Sequence, residues 1–318
     1  MSYIPNTLSE QEEMLKKIGV QTFEDLLKSI PEEVRLKGGL KIPEGLSEFE
    51  VINEMTKTAK MNAADTVSFL GGGSYDHYVP AVISNIITRS EFITAYTPYQ
   101  AEVSQGTLQA IYEYQTMICR LTGMDVANAS MYDGASAAAE SCLLASAHKN
   151  RKQVVICSPF NPAYISVIKT ICSGTGIEVV VVPHKDGTAD IDKLNQTVTD
   201  KTAALLLQNP NYFGYIEDCD SVKEIAAKNG ALFVISVDPI SLGILKTPAE
   251  CGADIVIGEG QPLGIPVNFG GPYLGIFAVK QELLRKIPGR LSGMTVDKTG
   301  ERGFVLTLQT REQQIRRE

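Results

Sequence analysis

Five short apolar runs in the second half of the chain constrain its fold more than any other feature. Each run is β-branched or leucine-rich, and helix-compatible segments separate most of them at intervals of roughly 25 residues. The runs cover residues 154–156, 179–182, 203–207, 232–237 and 255–257. Strands that are apolar on both faces are typical of a mainly parallel sheet with helices on both sides. The sequence therefore predicts a three-layer α/β fold with any ligand at the carboxyl ends of the strands.

Helices are predicted both between these runs and ahead of them. The expected helices of the large domain, residues 66–318, cover 104–122, 135–147, 163–171 and 221–227. Residues 1–65 are predicted to form a separate helical N-terminal arm. In that arm Thr22 precedes one apolar stripe, and Ser47 with Glu50 forms a capping box ahead of another.

Charge and composition argue against partners other than proteins and small molecules. The chain has 29 Lys and Arg against 37 Asp and Glu, so its net charge is 29 − 37 = −8, and the dense basic run at 311–317 is interleaved with glutamate. A nucleic-acid binder would need a basic surface, so no nucleic-acid partner is expected.

The uncharged stretch 260–279 holds five glycines and three prolines, which favours buried loop and strand over a membrane helix. The N-terminus has no secretory signal, which predicts a cytoplasmic protein.

The six cysteines show no C-x-x-C pair and no accompanying pair of histidines. This pattern favours reduced thiols in the core over a disulfide framework, and it predicts no metal site.

The glycines of 258–264 follow an apolar run, but Pro262 and Pro266 obstruct the helix that a dinucleotide-binding turn would need. The sequence therefore argues against binding of NAD or FAD at this position.

Asp238 closes the apolar run 232–237, at the edge of the sheet where a ligand would lie. Two interpretations stay open. Because Pro239 follows at once, the carboxylate is a candidate turn former or cap. Alternatively it faces the ring nitrogen of a pyridoxal phosphate cofactor. Such an enzyme also needs a lysine, and the sequence has none between Lys246 and Lys280.

The segment 96–106 reads Tyr-Thr-Pro-Tyr-Gln-Ala-Glu-Val-Ser-Gln-Gly, a polar and aromatic stretch ahead of a predicted helix. This string resembles a signature of the glycine cleavage system P-proteins, specifically of the alpha-subunit type, also called glycine dehydrogenase (decarboxylating) subunit 1. The resemblance covers essentially the whole chain. Further matching strings lie at 73–80, 127–133, 208–211 and 258–266.

The resemblance implies an aspartate-aminotransferase-like fold, fold type I of the pyridoxal-phosphate-dependent transferases. It implies a complex that decarboxylates glycine on pyridoxal phosphate and transfers the aminomethyl group to the lipoyl group of the H-protein. It also implies a catalytic beta subunit as partner, in an α2β2 assembly. Family members continue past the segment matching 309–318 into a small C-terminal domain, so this chain is expected to lack that domain.

The resemblance places Gln261 where the beta subunit carries its Schiff-base lysine. A glutamine amide is not a nucleophile towards an aldehyde. We therefore expect no catalytic residue in this chain alone and no covalently held cofactor, with pyridoxal phosphate bound by the partner. The turn at 134–137 also lacks the histidine of active relatives, and Asp238 is then a possible relic of a cofactor site.

The sequence-based hypothesis for the site is that two loops complete the beta subunit's active site across an interface. Their candidate interface or substrate-channel residues are Tyr75, His77, Tyr96, Tyr99, Gln100 and Glu102. Either loop could instead be a structural lead-in to a helix. Two other functions stay open: a purely structural partner of the beta subunit, and an autonomous pyridoxal-phosphate aminotransferase or decarboxylase that uses Lys246.

Overall fold

The computed structural model describes residues 6–62, 66–67, 69, 72–73, 75–93, 96–268, 271 and 273–308. The chain divides into two compact units, Met1–Phe69 and Leu70–Glu318. The basic run at 311–317 and the family segment at 309–318 lie outside the described residues.

The first unit consists of short helices, each started by its own sequence signal. The helices are α1 (Leu8–Ile18), α2 (Phe23–Leu26) and α3 (Glu48–Ala59), with a 3-10 turn at Glu32–Val34. Capping boxes start them, pairing Thr7 with Glu10, Thr22 with Asp25 and Ser47 with Glu50. The start signals predicted at Thr22 and Ser47 are thus confirmed. None of the described residues of this unit is buried.

The second unit is built on a seven-stranded sheet. The described strands of this unit are β1 (Val126–Ala127), β2 (Gln153–Cys157), β3 (Glu178–Val182), β4 (His184–Lys185), β5 (Thr188–Ala189), β6 (Thr202–Gln208), β7 (Leu232–Val237), β8 (Ile255–Glu259), β9 (Gly275–Val279), β10 (Leu291–Val296) and β11 (Arg302–Thr307). The sheet has the order β1-β9-β8-β7-β6-β2-β3. All five predicted runs form strands in its parallel part. β9 is the exception, because it runs antiparallel to both β8 and β1.

Helices cover both faces of this sheet, as expected for three layers. The described helices of the second unit are α4 (Ala81–Ile87), α5 (Ser90–Ile93), α6 (Gln105–Thr122), α7 (Gly134–Lys149), α8 (Pro162–Ser173), α9 (Ile191–Thr197) and α10 (Cys219–Lys228). Along β6, Leu205 and Leu207 point into a core with residues of α6, α9 and α10, whereas Ala204 and Leu206 point into a core with residues of α7 and α8. This alternation buries both faces of the strand.

The stretch 260–279, described apart from 269, 270 and 272, contains a 3-10 turn and β9, which confirms the interpretation as loop and strand. Five cysteines are buried, as expected of core thiols, while Cys119 is half-buried. Among the helices of the described residues, none has the length and apolar character needed to cross a bilayer.

The hairpin of β10 and β11 is attached to α6 through polar side chains. The Gln115 amide donates to the Ser292 carbonyl at 3.0 Å and accepts from the Ser292 N–H at 2.9 Å. Gln105 makes the same pair of bonds to Phe304, at 2.9 and 2.8 Å. Because Gln115 and Ser292 are buried, these bonds satisfy backbone groups that water cannot reach.

We expect Gln115→Ala to lower the free energy of unfolding by about 2–4 kcal/mol, because it leaves a buried N–H and a buried carbonyl unpaired. The matched control is Gln109→Ala on the same helix. The Gln109 amide donates to the Glu113 carboxylate one turn away, a contact worth about 0.5 kcal/mol or less. Urea unfolding followed by circular dichroism measures both changes. Equal losses from the two variants would contradict the role given to Gln115.

Candidate active site

A cavity of about 370 Å³ lies at the carboxyl ends of β6, β7 and β8. This is the edge at which the parallel strands predicted a ligand site. The strands contribute Gln208, Val237 and Glu259 to its wall. The rest of the described wall comes from the start of α8, from Gly73, Tyr75 and His77, and from loops at 210–214, 238–239 and 261–262.

The loop that follows β6 is held rigidly by one buried side chain. Asn211 donates from Nδ2 to Glu217 Oε1 at 2.6 Å and to the carbonyl of Gly187 at 2.9 Å. Its Oδ1 accepts from the N–H groups of Phe213 and Tyr215 at 2.9 and 3.1 Å. All four bonding positions of the Asn211 side chain are therefore used to fix the aromatic wall of the cavity.

The backbone at Gly73 approaches the start of α8 very closely. Asn161 caps that helix by accepting from the Ala163 N–H at 2.9 Å, and its own N–H donates to Gln208 at 2.8 Å. Gly73 has a φ of +99°, and a Cβ there would lie 2.7 Å from Asn161 Nδ2. Only glycine is compatible with this conformation and this distance.

His77 and Tyr75 belong to the same loop, and both line the cavity. Nδ1 of His77 lies 2.9 Å from the carbonyl oxygen of Tyr75. Because a carbonyl can only accept, Nδ1 is the protonated nitrogen and Nε2 is the acceptor when the ring is neutral.

Gln261 lies two residues beyond the end of β8, on the 3-10 turn Gln261–Leu263, with 2% of its surface exposed. Its Nε2 donates to the carbonyl of Ile265 at 2.5 Å, so the amide holds its own loop. None of the described residues that line the cavity is a lysine or an arginine. Lys246, the alternative candidate, is exposed and is not among them.

Glu259 is the last residue of β8, and its carboxylate accepts three backbone hydrogen bonds. Oε2 accepts from the Gly134 N–H at 2.9 Å, and Oε1 accepts from Gln261 at 3.0 Å and from Leu274 at 3.1 Å. Burial raises the pKa of this carboxyl, and the three N–H donors offset only part of that effect. Burial of the phenol, aided by the charge of Glu259, raises the pKa of the neighbouring Tyr164 well above its ordinary value.

Asp238 lies at the carboxyl end of β7 and lines the cavity, although it is an exposed residue. Its Oδ1 accepts from the Ile240 N–H at 2.9 Å, and its carbonyl accepts from the Ser241 hydroxyl at 2.7 Å. These bonds are those of a turn former, the first of the two sequence-based interpretations. A relation to a cofactor stays a hypothesis.

The predicted site residues fall into two groups. Tyr75, His77, Asp238 and Gln261 come together around the cavity. The other four, namely Tyr96, Tyr99, Gln100 and Glu102, are not among its lining residues. They precede α6, and the chain there is fixed by Gln105, whose amide also donates to the carbonyl of Ala101 at 2.7 Å. The two loops do not share this cavity.

Sequence reasoning missed Glu259, Asn161 and Tyr164 as wall residues. The signal for Glu259 was present, since it follows an apolar strand in the same way as Asp238. Asn161 precedes a proline at a helix start, which indicates a cap. Tyr164 lies within an apolar helical segment and carries no signal of its own.

Comparison with known proteins addresses the whole chain. Residues 1–318 match the family model described as "Glycine cleavage system P-protein". The chain belongs to this family. A protein of Chloroherpeton thalassium, named probable glycine dehydrogenase (decarboxylating) subunit 1, is 59% identical over 320 residues, which cover 100% of this chain and 72% of that protein. A protein of the same name from Carboxydothermus hydrogenoformans is 55% identical with the same coverage.

Solved structures agree with this family assignment. Glycine decarboxylase (P-protein) of the glycine cleavage system, in inhibitor-bound form, superposes with a TM-score of 0.90 and 44% identity, over 97% of this chain and 69% of that one. Sphingosine-1-phosphate lyase of Burkholderia pseudomallei gives a TM-score of 0.59 at 14% identity, over 86% of this chain and 67% of the lyase, which supports the fold alone. The predicted fold type I architecture of pyridoxal-phosphate-dependent enzymes is thus confirmed.

Pyridoxal phosphate, the cofactor that this fold implies, does not fit the cavity of the P-protein chain described here. A Schiff base needs an amine, and a phosphate group is stabilised by cationic side chains or by N–H donors at a helix start. The described lining residues offer neither lysine nor arginine, and the N–H groups of Gly134 and Ser136 at the start of α7 already donate to the carboxylates of Glu259 and Asp133.

Gly134, the first residue of α7, gives a test of how tightly this site is packed. A Cβ at Gly134 would lie 2.3 Å from the Tyr164 hydroxyl and 3.1 Å from the backbone nitrogen of Glu259. We expect Gly134→Ala to destabilise the fold by about 1–3 kcal/mol through overpacking. Gly106→Ala in α6 is the control, because nothing lies within 4 Å of its Cβ, and it should be neutral or stabilising by up to about 1 kcal/mol. Thermal unfolding measures both, and a neutral Gly134→Ala would contradict the packing described.

Proposed function

We propose that this chain is the alpha-type subunit of a two-subunit glycine decarboxylase and acts with a catalytic beta subunit in an α2β2 assembly. In that complex, glycine is decarboxylated on pyridoxal phosphate and the aminomethyl group passes to the lipoyl group of the H-protein. This is the glycine dehydrogenase (decarboxylating) reaction. Membership of the P-protein family and the subunit-1 names of its relatives support the proposal.

The main observation behind assigning the cofactor to the partner subunit is the buried amide of Gln261. This residue begins the 3-10 turn that follows β8, its amide bonds to its own loop, and the described cavity wall around it has no lysine. An amide cannot replace an amine in imine chemistry. The partner therefore supplies the lysine and holds the cofactor, which supplies carbanion stabilisation when bound.

The exposed apolar surface of the N-terminal arm is a second argument for a partner subunit. On α3, Phe49, Ile52 and Met55 follow one another at intervals of three residues and form one apolar face. They are 74%, 55% and 62% exposed. Exposed apolar surface of this kind marks a protein interface. We propose a cytoplasmic location for the complex.

For the chain's own residues we propose a positioning role rather than bond making. Tyr75 and His77 would line the path to the partner's active site from one side, and Tyr96, Tyr99, Gln100 and Glu102 would do so from another. Aromatic rings and polar tips of this kind can hold a mobile ligand arm and exclude water from the reacting centre.

Reconstitution tests the proposal directly. We expect the isolated chain to form no imine with pyridoxal phosphate that borohydride can trap, and to release no carbon dioxide from glycine. Mixing with a beta subunit and H-protein should restore decarboxylation, measured with carboxyl-labelled glycine. An imine trapped on the isolated chain, at Lys246 or elsewhere, would support the autonomous enzyme instead.

Substitution of the loops separates a positioning role from a purely structural one. In the assembled complex, His77→Ala and Tyr99→Phe are each expected to lower turnover on the order of tenfold, the effect of losing one positioning hydrogen bond. His148→Ala is the control, because His148 lies near the end of α7 farthest from the cavity. Loop variants that co-purify with the beta subunit and keep full turnover would leave the chain a structural partner.

A further inference from the structure

The N-terminus of α7 lies beside the cavity, next to the wall residue Glu259. It starts a helix of 16 residues, and the first N–H groups of such a helix have no partner within the helix and carry partial positive charge. Phosphate groups commonly bind at positions of this kind. In this chain the position is filled by a side chain of the protein itself.

We propose that Glu259 is the resident anion of the α7 N-terminus and closes the cavity to ligands that carry a phosphate group, pyridoxal phosphate included. This exclusion is separate from the missing lysine. It deepens the proposed function and rests on it only in naming the partner as the carrier of the cofactor.

The first argument is the use of the helix donors. The N–H groups of the first turn belong to Gly134, Ala135 and Ser136. Glu259 accepts the first of them at 2.9 Å, and the helix cap Asp133 accepts the third at 2.6 Å. Two of the three donors are thus bound to carboxylates of the chain itself, and a phosphate would have to displace them.

The second argument is the anchoring of Glu259 from the other side. Its Oε1 accepts from Gln261 and Leu274, so the carboxylate is fixed both to the 3-10 turn and to the segment that leads into β9. Moving Glu259 away from α7 would break bonds in two further segments. A carboxylate held by three backbone donors competes well with a ligand anion.

The third argument is charge. A phosphate at this position would meet Glu259 and Asp133 at the helix start and Asp238 on the cavity wall. The described residues of that wall include no lysine or arginine to offset the repulsion. The Tyr164 hydroxyl also limits the space beside Gly134. A single Cβ atom added to Gly134 would lie 2.3 Å from it, which is too close for a carbon atom and leaves no room there for a phosphate group.

The test uses the 318-residue chain with two probes, inorganic phosphate and pyridoxal phosphate. Glu259→Gln and Glu259→Ser remove the resident charge, and the serine variant also leaves space. Asp254→Asn is the matched control. It changes a carboxylate next to the same strand but away from the cavity, because Asp254 precedes the start of β8, at the end opposite Glu259. There it accepts from the Phe233 N–H at 2.9 Å.

Wild type and Asp254→Asn are expected to show no phosphate-dependent rise in unfolding temperature and no saturable binding of pyridoxal phosphate. The Glu259 variants should unfold at a lower temperature in phosphate-free buffer and recover stability as phosphate is added, because a ligand that binds only the folded state stabilises it. They should also bind pyridoxal phosphate saturably, with at least tenfold more cofactor bound than to wild type at the same concentration. Gln261→Lys alone should give no trappable imine, whereas Gln261→Lys combined with Glu259→Ser should give one.

Saturable binding of pyridoxal phosphate to wild type would overturn the proposal, as would folded Glu259 variants that gain nothing from phosphate. If neither variant folds in plain buffer, refolding with and without phosphate decides: recovery in phosphate supports the proposal, and equal failure overturns it. None of these measurements needs a beta subunit. A negative result here is therefore distinct from a failed reconstitution of glycine decarboxylation.

Discussion

Three backbone segments meet at the carboxylate of Glu259, and the arrangement of the cavity depends on that junction. The strand that carries Glu259 is tied to the start of α7 through Gly134, to the following turn through Gln261, and to the entry of β9 through Leu274. β9 enters at this edge because it runs antiparallel to β8, so the loop between them begins and ends beside the same carboxylate. Any change at this position would alter the helix start, the turn and the entry to β9 together.

The parallel part of the sheet could be predicted because its strands are buried on both faces and therefore read as continuous apolar runs. The short strand β1 could not be predicted, and neither could the antiparallel direction of β9. Val126–Ala127 is too short to give a periodic signal, and β9 lies in a stretch rich in glycine and proline whose strand direction depends on distant hydrogen-bond partners. Sequence patterns report local burial well and long-range pairing poorly.

The same limit applies to the site. Asp238 and Glu259 each come at the end of an apolar run, and the sequence does not indicate which of the two carboxylates is more important for the site. Pro239 turns the chain so that Asp238 bonds to its own loop, whereas Gly260 lets Leu274 approach closely enough to bond Glu259, since a Cβ on Gly260 would lie 2.5 Å from the Leu274 side chain. Gln261 was recognised as standing in place of the Schiff-base lysine only through the family resemblance. The Tyr96 to Glu102 segment was ambiguous because a polar lead-in to a helix has the same composition as a binding loop.

The capping boxes of the first unit have an energetic consequence for assembly. Thr7, Thr22 and Ser47 each satisfy backbone donors from within a few residues, so the helices that they start are specified locally even though no described residue of that unit is buried. A segment that folds only on contact must lose its conformational freedom at that moment, which weakens association. An arm whose helices are already nucleated has less freedom left to lose, and more of its apolar contact energy would then appear as affinity.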